Sequence, residues 1–102
     1  REILKFVHEN YADEISLDVI AASVSLSKSE CCRFFKKHMN MTIFDYILYY
    51  KIQRSLPLLW KDQSITDVAL SVGFTSASYY TQIFKRYMKC TPLQYRKSIS
   101  RY

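Results

Sequence analysis

The sequence predicts an all-α fold of two helix-turn-helix subdomains joined by a long linker helix, and three observations carry that expectation. The 102-residue chain contains a single Gly, whereas hairpin-rich β architectures draw repeatedly on residues that accept positive φ. Apolar residues recur at helical spacing, and the runs after the first are preceded by a Ser or Thr suited to an N-cap. The second half of the chain also repeats the first, as it does when one supersecondary unit is used twice.

Taken in order, Ile3, Leu4, Phe6 and Val7 share a face of a first helix ending near Asn10. Asp13-Glu14-Ile15-Ser16 breaks the pattern, and Ser16 caps a short helix carrying Leu17, Val19, Ile20 and Ala21. Ser25 and Leu26 form a turn. Ser27, with Glu30 three residues on, is a capping box opening a helix that runs to about Met39. Its expected inward face is Cys31, Phe34 and Phe35. Asn40 tolerates the left-handed conformation that ends such a helix. Thr42 then caps a long helix with Ile43, Phe44, Tyr46, Ile47, Tyr50, Ile52 and Leu56, reaching to about Trp60. Pro57 lacks an N–H and clashes with the preceding turn, so a kink or an early end near Ser55 or Leu56 is expected.

The repeat appears when Ser16-Leu17-Asp18-Val19-Ile20-Ala21 is laid on Ser64-Ile65-Thr66-Asp67-Val68-Ala69, and Val24-Ser25-Leu26 on Val72-Gly73-Phe74, at a shift of 48. After one extra residue, Thr75, the shift is 49: Ser27 falls on Ser76, Phe34-Phe35-Lys36-Lys37 on Ile83-Phe84-Lys85-Arg86, Met39 on Met88, Thr42 on Thr91 and Tyr46 on Tyr95. Each copy reads as short helix, tight turn, longer helix. A small residue (Ala21, Ala69) lets the two helices approach, and the lone Gly, Gly73, sits where positive φ is needed. This is the helix-turn-helix pattern. The expected organisation is one DNA-binding domain over residues 1–102, with subdomains at 3–40 and 64–99 and a linker helix at 42–60.

Composition narrows the function. With 49% hydrophobic and 24% charged residues the chain is neither disordered nor fibrous. The longest apolar candidate, around Tyr46 to Tyr50, is cut by Lys51, far short of the ~20 residues of a membrane span. A Gly-rich phosphate loop cannot be written with one Gly. The net charge of +6 is uneven: residues 1–18 hold five acids and two bases, the remainder 13 bases and four acids, and no acid follows Asp67. Lys85, Arg86, Lys89, Arg96, Lys97 and Arg101 lie beyond it. That excess favours a polyanionic partner, double-stranded DNA ahead of an anionic membrane. The acidic first helix is expected to face away from the DNA.

Three Cys, two of them the adjacent Cys31 and Cys32, do not suit a disulfide framework. Cys32, His38 and Cys90 form the one conceivable zinc set, but free, mostly buried thiols in a reducing compartment are the preferred reading. No cofactor or metal is expected, and the location is cytoplasmic. No signal peptide is read, and a chain starting at Arg1 rather than Met is expected to be a fragment or a processed product.

If the second helix of each unit enters a major groove, its outward stripe carries the readers. In the first unit these are Lys28, Ser29, Cys32 and Arg33, with Lys36 beside them. Arg33 can bond a guanine edge and Lys36 a phosphate. With Tyr80, Ile83 and Phe84 inward, the second unit offers Ala77, Ser78, Thr81 and Gln82, with Lys85 beside them. Gln82 can bond adenine bidentately, and Ala77 or the Thr81 methyl can touch a thymine methyl. Phosphate contacts are expected from Ser16, Ser27, Lys36, Lys37, Ser64, Ser76, Lys85 and Arg86, at helix N-termini and around the stripes. A rival reading is a helical protein-interaction module anchored by Tyr49, Tyr50, Trp60 and Tyr79, although core packing is the expected place of those rings. Enzymatic activity is not expected: no carboxylate pair or Cys–His constellation falls on one exposed face.

Ser64-Ile65, Val68-Ala69, Val72-Gly73-Phe74, Ser76, Tyr79-Tyr80, Phe84-Lys85-Arg86 and Thr91-Pro92 through Tyr95-Arg96 together resemble the signature of the AraC/XylS family of bacterial transcription regulators. The resemblance extends from about Ile3 to Arg96 and implies seven helices, two helix-turn-helix units and a long connecting helix. It further implies a cytoplasmic, nucleoid-associated DNA-binding domain, an activator in preference to a repressor. Contact with RNA polymerase, and an effector or dimerisation domain preceding this unit, are also implied. The chain departs from the family pattern at Lys89 and Asn40, where Gly is usual, at Lys51 for Arg, at Ser55 for Ala, and at Pro57. Lys89 predicts a strained or differently closed turn, Pro57 bears on the tilt between the units, and Cys32 is an uncommon base reader.

Overall fold

Six hydroxyl side chains set where most of the helices begin. Ser16, Ser27, Ser64 and Ser76 each hold an extended backbone and accept a hydrogen bond from the N–H three residues on, those of Val19, Glu30, Asp67 and Tyr79. Thr42 and Thr91 accept likewise from the N–H groups of Asp45 and Gln94. Each such cap satisfies a donor that the helix itself cannot, and is worth roughly 1 kcal/mol. Two are reciprocal: Glu30 Oε1 accepts from the Ser27 N–H at 3.0 Å, and Gln94 Oε1 from the Thr91 N–H at 2.8 Å.

The computed structural model of the protein describes residues 2–99. Arg1 and Arg101, counted in the charge balance, and the outer limits of the 1–102 domain lie outside the described residues. Among the described residues there are seven α-helices and no strand: α1 (Glu2–Asn10), α2 (Leu17–Ser23), α3 (Lys28–Met39), α4 (Ile43–Leu59), α5 (Ile65–Ser71), α6 (Ala77–Met88) and α7 (Pro92–Ile99). No helix among them is long and apolar enough to cross a membrane. The chain divides into two compact units whose boundary, between Tyr50 and Lys51, falls inside α4.

In the first unit α1, α2, α3 and the first half of α4 enclose a core of Ile3, Val7, Ile20, Ala21, Cys31, Phe35, Ile43, Tyr46 and Ile47. An aromatic cluster borders it. His8 Nε2 and Tyr46 Oη are 2.6 Å apart, the His8 ring stacks on Tyr50 at 4.2 Å, and Tyr11 meets Tyr50 edge-on. In the second unit the buried side chains are those of Ile52, Ser55 and Leu59 from α4, Val68, Ala69, Val72 and Phe74 from α5 and its turn, Tyr80, Ile83 and Phe84 from α6, and Pro92.

The two turns close alike. Ser25 at φ 58° and Gly73 at φ 95° take the left-handed position, and the next residue's N–H returns to the small residue before the turn. Those bonds are Leu26 N–H to the Ala21 carbonyl at 3.0 Å and Phe74 N–H to the Ala69 carbonyl at 2.9 Å. The ends of α3 and α6 match too. Asn40 (φ 57°, ψ 29°) and Lys89 (φ 63°, ψ 18°) are both left-handed, with N–H groups bonded to the carbonyls of Lys36 and Lys85. Lys89 therefore closes its turn the same way as Asn40, and bears the strain of a long side chain in that region.

Several expectations need correction. The helix α4 does not end early at Ser55 or Leu56: it runs through Pro57 to Leu59. Pro57 is exposed and lies in the final turn, where N–H groups of Trp60 and Lys61 bond back to the Pro57 and Leu58 carbonyls at 3.2 Å. Its missing N–H therefore costs one bond at the end of the ladder instead of breaking it midway. Phe34 is not a core residue but 42% exposed. Cys31 and Phe35, four apart, define the inward line of α3. Phe34 falls to its edge, in a surface recess with Ile3, Leu4, His38 and Met39, where its ring meets His38 edge-on at 4.2 Å. Val19 and Phe44 are exposed. The thiols are not mostly buried either: Cys31 is, Cys90 is half-buried and Cys32 is exposed. Tyr49, Trp60 and Tyr79 are exposed instead of packed in a core, and Tyr50 is half-buried. Trp60 lies just past the end of α4, and Tyr79 leans its edge on Phe74 at 5.8 Å from the outer side of α6.

Candidate nucleic-acid interface

Each long helix of a turn pair is held by one face and free on the other. On α3 the buried Cys31 and Phe35 leave Lys28, Ser29, Cys32, Arg33, Lys36 and Lys37 exposed. On α6 the buried Tyr80, Ile83 and Phe84 leave Ser78, Gln82, Lys85 and Arg86 exposed, with Ala77 and Thr81 half-buried at the margin. Under the 49-residue shift these are the same positions: Lys28 with Ala77, Ser29 with Ser78, Cys32 with Thr81, Arg33 with Gln82, Lys36 with Lys85 and Lys37 with Arg86. All the expected readers thus reach the surface of their own helix. Ser16, Ser27, Ser64 and Ser76, expected at phosphates, are all engaged as N-caps. A single cap satisfies only one of the first-turn N–H groups that a helix leaves unpaired.

Electrostatics differ between the two faces. The first is the more cationic, with Lys28, Arg33, Lys36 and Lys37 against Glu30, whose carboxylate is occupied by the capping box. The Ser27 backbone N–H, and then its hydroxyl, hold that carboxyl below the usual carboxylate range. Lys28 also pairs with Asp18 at 3.3 Å, both side chains exposed, a contact that water screens and an anionic partner can displace. The second face has neutral polar groups at its centre and Lys85 and Arg86 at its C-terminal end.

Sequence reasoning missed how the outward face of α3 continues. Cys32, Arg33, Lys36 and Lys37 line one open recess together with Thr42, Ile43 and Phe44 from the start of α4. Phe44, counted into the apolar periodicity of that helix, is 53% exposed there. The signal was available in the spacing: Ile43, Tyr46, Ile47 and the half-buried Tyr50 complete an inward stripe without it.

Behind the second face the support is polar. Lys51 Nζ donates to the Gly73 carbonyl at 3.1 Å and lies 5.4 Å from the centroid of the Phe74 ring. Burial pulls its ammonium below the usual lysine value. The Tyr80 hydroxyl donates to Ser55 Oγ at 2.7 Å, and burial pushes its pKa up to about 12, so it remains a donor through the neutral range. In the first unit the buried Cys31 thiol is pushed up, chiefly by burial and then by Cys32 beside it, and is correspondingly unreactive. No group of three or more His, Cys, Asp or Glu able to hold an ion occurs among the described residues.

The helix-turn-helix domain family matches residues 20–98. The uncharacterized HTH-type transcriptional regulator YdeC of Bacillus subtilis is 43% identical over 98 residues, 95% of this chain and 34% of that protein. The chain thus spans about a third of that relative's length. The C-terminal domain of the two-component response regulator yesN from Fusobacterium nucleatum superposes with a TM-score of 0.85 at 30% identity, covering 92% of this chain and 93% of that one. An AraC-type transcriptional regulator from Chromobacterium violaceum superposes with a TM-score of 0.88 at 26% identity, covering 94% and 87%. With the repeat, the two turn pairs and these likenesses in agreement, the chain belongs to the AraC-type helix-turn-helix family, a family of DNA-binding transcription regulators and not of enzymes.

Proposed function

We propose that the chain is the DNA-binding part of a bacterial transcription regulator, and that it reads double-stranded DNA by placing α3 and α6 in successive major grooves. One observation carries the reading: the outward positions of α3 and α6 correspond one for one under the repeat, and both sets lie opposite a buried face. Both outward faces keep a basic pair at matching positions, Lys36-Lys37 and Lys85-Arg86, beside neutral or cationic positions able to read bases. Lys28, Ser29, Cys32 and Arg33 face one half-site, and Ala77, Ser78, Thr81 and Gln82 the other. Ser16, Ser27, Lys36, Lys37, Ser64, Ser76, Lys85 and Arg86 contact phosphates. The subdomains at 3–40 and 64–99 act with the helix at 42–60 as one domain. Because the two faces differ, and are direct repeats, the site is asymmetric rather than palindromic.

Relatives named as a transcriptional regulator and as an operon regulatory protein support the same role, and their greater length supports a further effector or dimerisation domain in the whole protein. Contact with RNA polymerase and a place on the nucleoid belong to the proposal at the level of the family. Gel-shift titrations at several salt concentrations test it. Arg33→Ala and Gln82→Ala each lower affinity for the selected site by ~1–3 kcal/mol and relax one base preference. Lys36→Ala weakens all sequences alike and lowers the salt slope by about one. Equal losses on selected and random DNA from Arg33→Ala would remove it as a reader.

A further inference from the structure

The second half of α4 grips its helix-turn-helix through three polar ties that begin one helical turn apart. Lys51 bonds the Gly73 carbonyl in the turn. Ser55, fully buried, accepts from the Tyr80 hydroxyl of α6 at 2.7 Å and donates to the Ile52 carbonyl at 2.7 Å. The Leu59 carbonyl accepts from Arg96 Nε of α7 at 2.9 Å. Residues 51, 55 and 59 stand at i, i+4 and i+8, on one face of the helix. Each reaches a different element: the turn, the long helix after it, and the helix beyond.

The first unit answers this differently. The repeat partner of Tyr80 is Cys31, and at a shift of 48 that of Ser55 is Val7. Both are as buried as their counterparts, yet they belong to an apolar core without such a polar tie. Apolar contact is non-directional, so it resists separation better than rotation. Short hydrogen bonds from buried hydroxyls constrain distance and angle together.

We propose that Ser55 and Tyr80, supported by Lys51, are positioning residues that fix the rotation of α6 about its own axis, and with it the aim of Ser78 and Gln82. The readers stand two residues to either side of Tyr80, about 200° around the helix, so the lock and the readers occupy opposite faces. A 10° turn of the helix moves a side-chain tip ~6 Å from the axis by ~1 Å, beyond the ~0.5 Å within which a binding constellation works. The proposal rests on α6 being a DNA reader, and its test separates the two.

Two measurements on the 102-residue chain decide it. Selection from random DNA with wild type, Tyr80→Phe and the double variant Ser55→Ala/Tyr80→Phe reads base preference. The double variant leaves no buried hydroxyl without a partner, so it folds even where Ser55→Ala alone does not. The expected result is an approximately fivefold loss of discrimination, the worth of one ordinary hydrogen bond, confined to the half-site read by α6. An unchanged preference in a folded double variant overturns the proposal. Amide residual dipolar couplings of free protein give the second reading: the orientation of α6 against α5 shifts in both variants if the lock holds, and stays at the wild-type value if it does not. A wild type without any base preference sinks the DNA-reading role, while the dipolar couplings still decide the lock.

Discussion

In the first unit the turn is closed by Ser25, the long helix is anchored by Cys31 and Phe35, and Phe34 beside them is 42% exposed. In the second unit the same three roles fall to Gly73, to Tyr80 and Phe84, and to Ile83, which is 1% exposed. The backbone plan is shared down to the return bonds onto Ala21 and Ala69. What differs is how firmly the plan is filled. The second unit buries a ring, Tyr80, where the first buries the Cys31 thiol, adds the Ser55 and Lys51 ties, and uses the residue best suited to positive φ. The first carries more cationic charge on the outward face of its long helix and a looser flank around Phe34. We conclude that a repeated supersecondary unit preserves caps, turn closure and the small residue at the crossing, and varies side chains wherever volume alone is asked for.

The largest effect that can break this comparison lies at its most unequal pair. Ile83→Ala removes a buried side chain and leaves a cavity, at a cost of ~2–5 kcal/mol. Phe34→Ala, at the equivalent position, removes a ring already in part solvated and costs ~1 kcal/mol, from lost packing on Ile3, Leu4 and His38. Urea titrations of both variants read the difference. Equal destabilisation would mean that Phe34 is as enclosed as Ile83, and that the first unit is not the looser one.

How much of this was legible beforehand follows the same division. Hydroxyl caps, the Ser27–Glu30 box, the turn at Gly73 and the left-handed Asn40 are local signals, set by residues within four positions of one another, and the sequence carried all of them. The outward stripes of α3 and α6 were legible for a related reason: they are what remains of those helices once the inward line is known. Phe34, Val19 and Trp60 were not legible, because their exposure depends on which neighbouring helix arrives and how far it reaches. Periodicity states only that a residue is apolar. The Ser55–Tyr80 bond was hidden for the same reason, since nothing local distinguishes a buried serine that meets a phenol 25 residues away from an alanine substitute.

A smaller effect sharpens the comparison at the turns. Gly73→Ala places a Cβ at φ 95° and costs ~1–2 kcal/mol. The opposite change in the first unit, Ser25→Gly, relieves the same kind of strain at φ 58°, and is neutral to stabilising by up to ~1 kcal/mol because the gain is partly offset by a freer unfolded chain. Thermal melts of the two variants should move in opposite directions, or the second should not move. A loss of stability from Ser25→Gly would show that the Ser25 side chain contributes something that the turn geometry does not.

The smallest effect concerns the helix ends, where the unit that is otherwise better filled holds the poorer residue. Asn40 and Lys89 both stand in the left-handed region, but Asn reaches it with a short polar side chain and Lys does not. Against that strain, Lys89 Nζ donates to the Arg86 carbonyl at 3.0 Å. This exposed bond, near the negative end of the α6 dipole, is worth only a few tenths of a kcal/mol. Strain outweighs it, so Lys89→Gly raises stability by ~0.5 kcal/mol, while Asn40→Gly changes little. Lys89→Asn separates the causes: it keeps a side chain, loses the ammonium and relaxes the backbone, so it should also stabilise. If Lys89→Gly and Lys89→Asn are both destabilising in denaturant titrations, the ammonium at the helix end matters more than the left-handed backbone. Lys89 would then be a C-terminal cap in its own right rather than a tolerated departure from Gly.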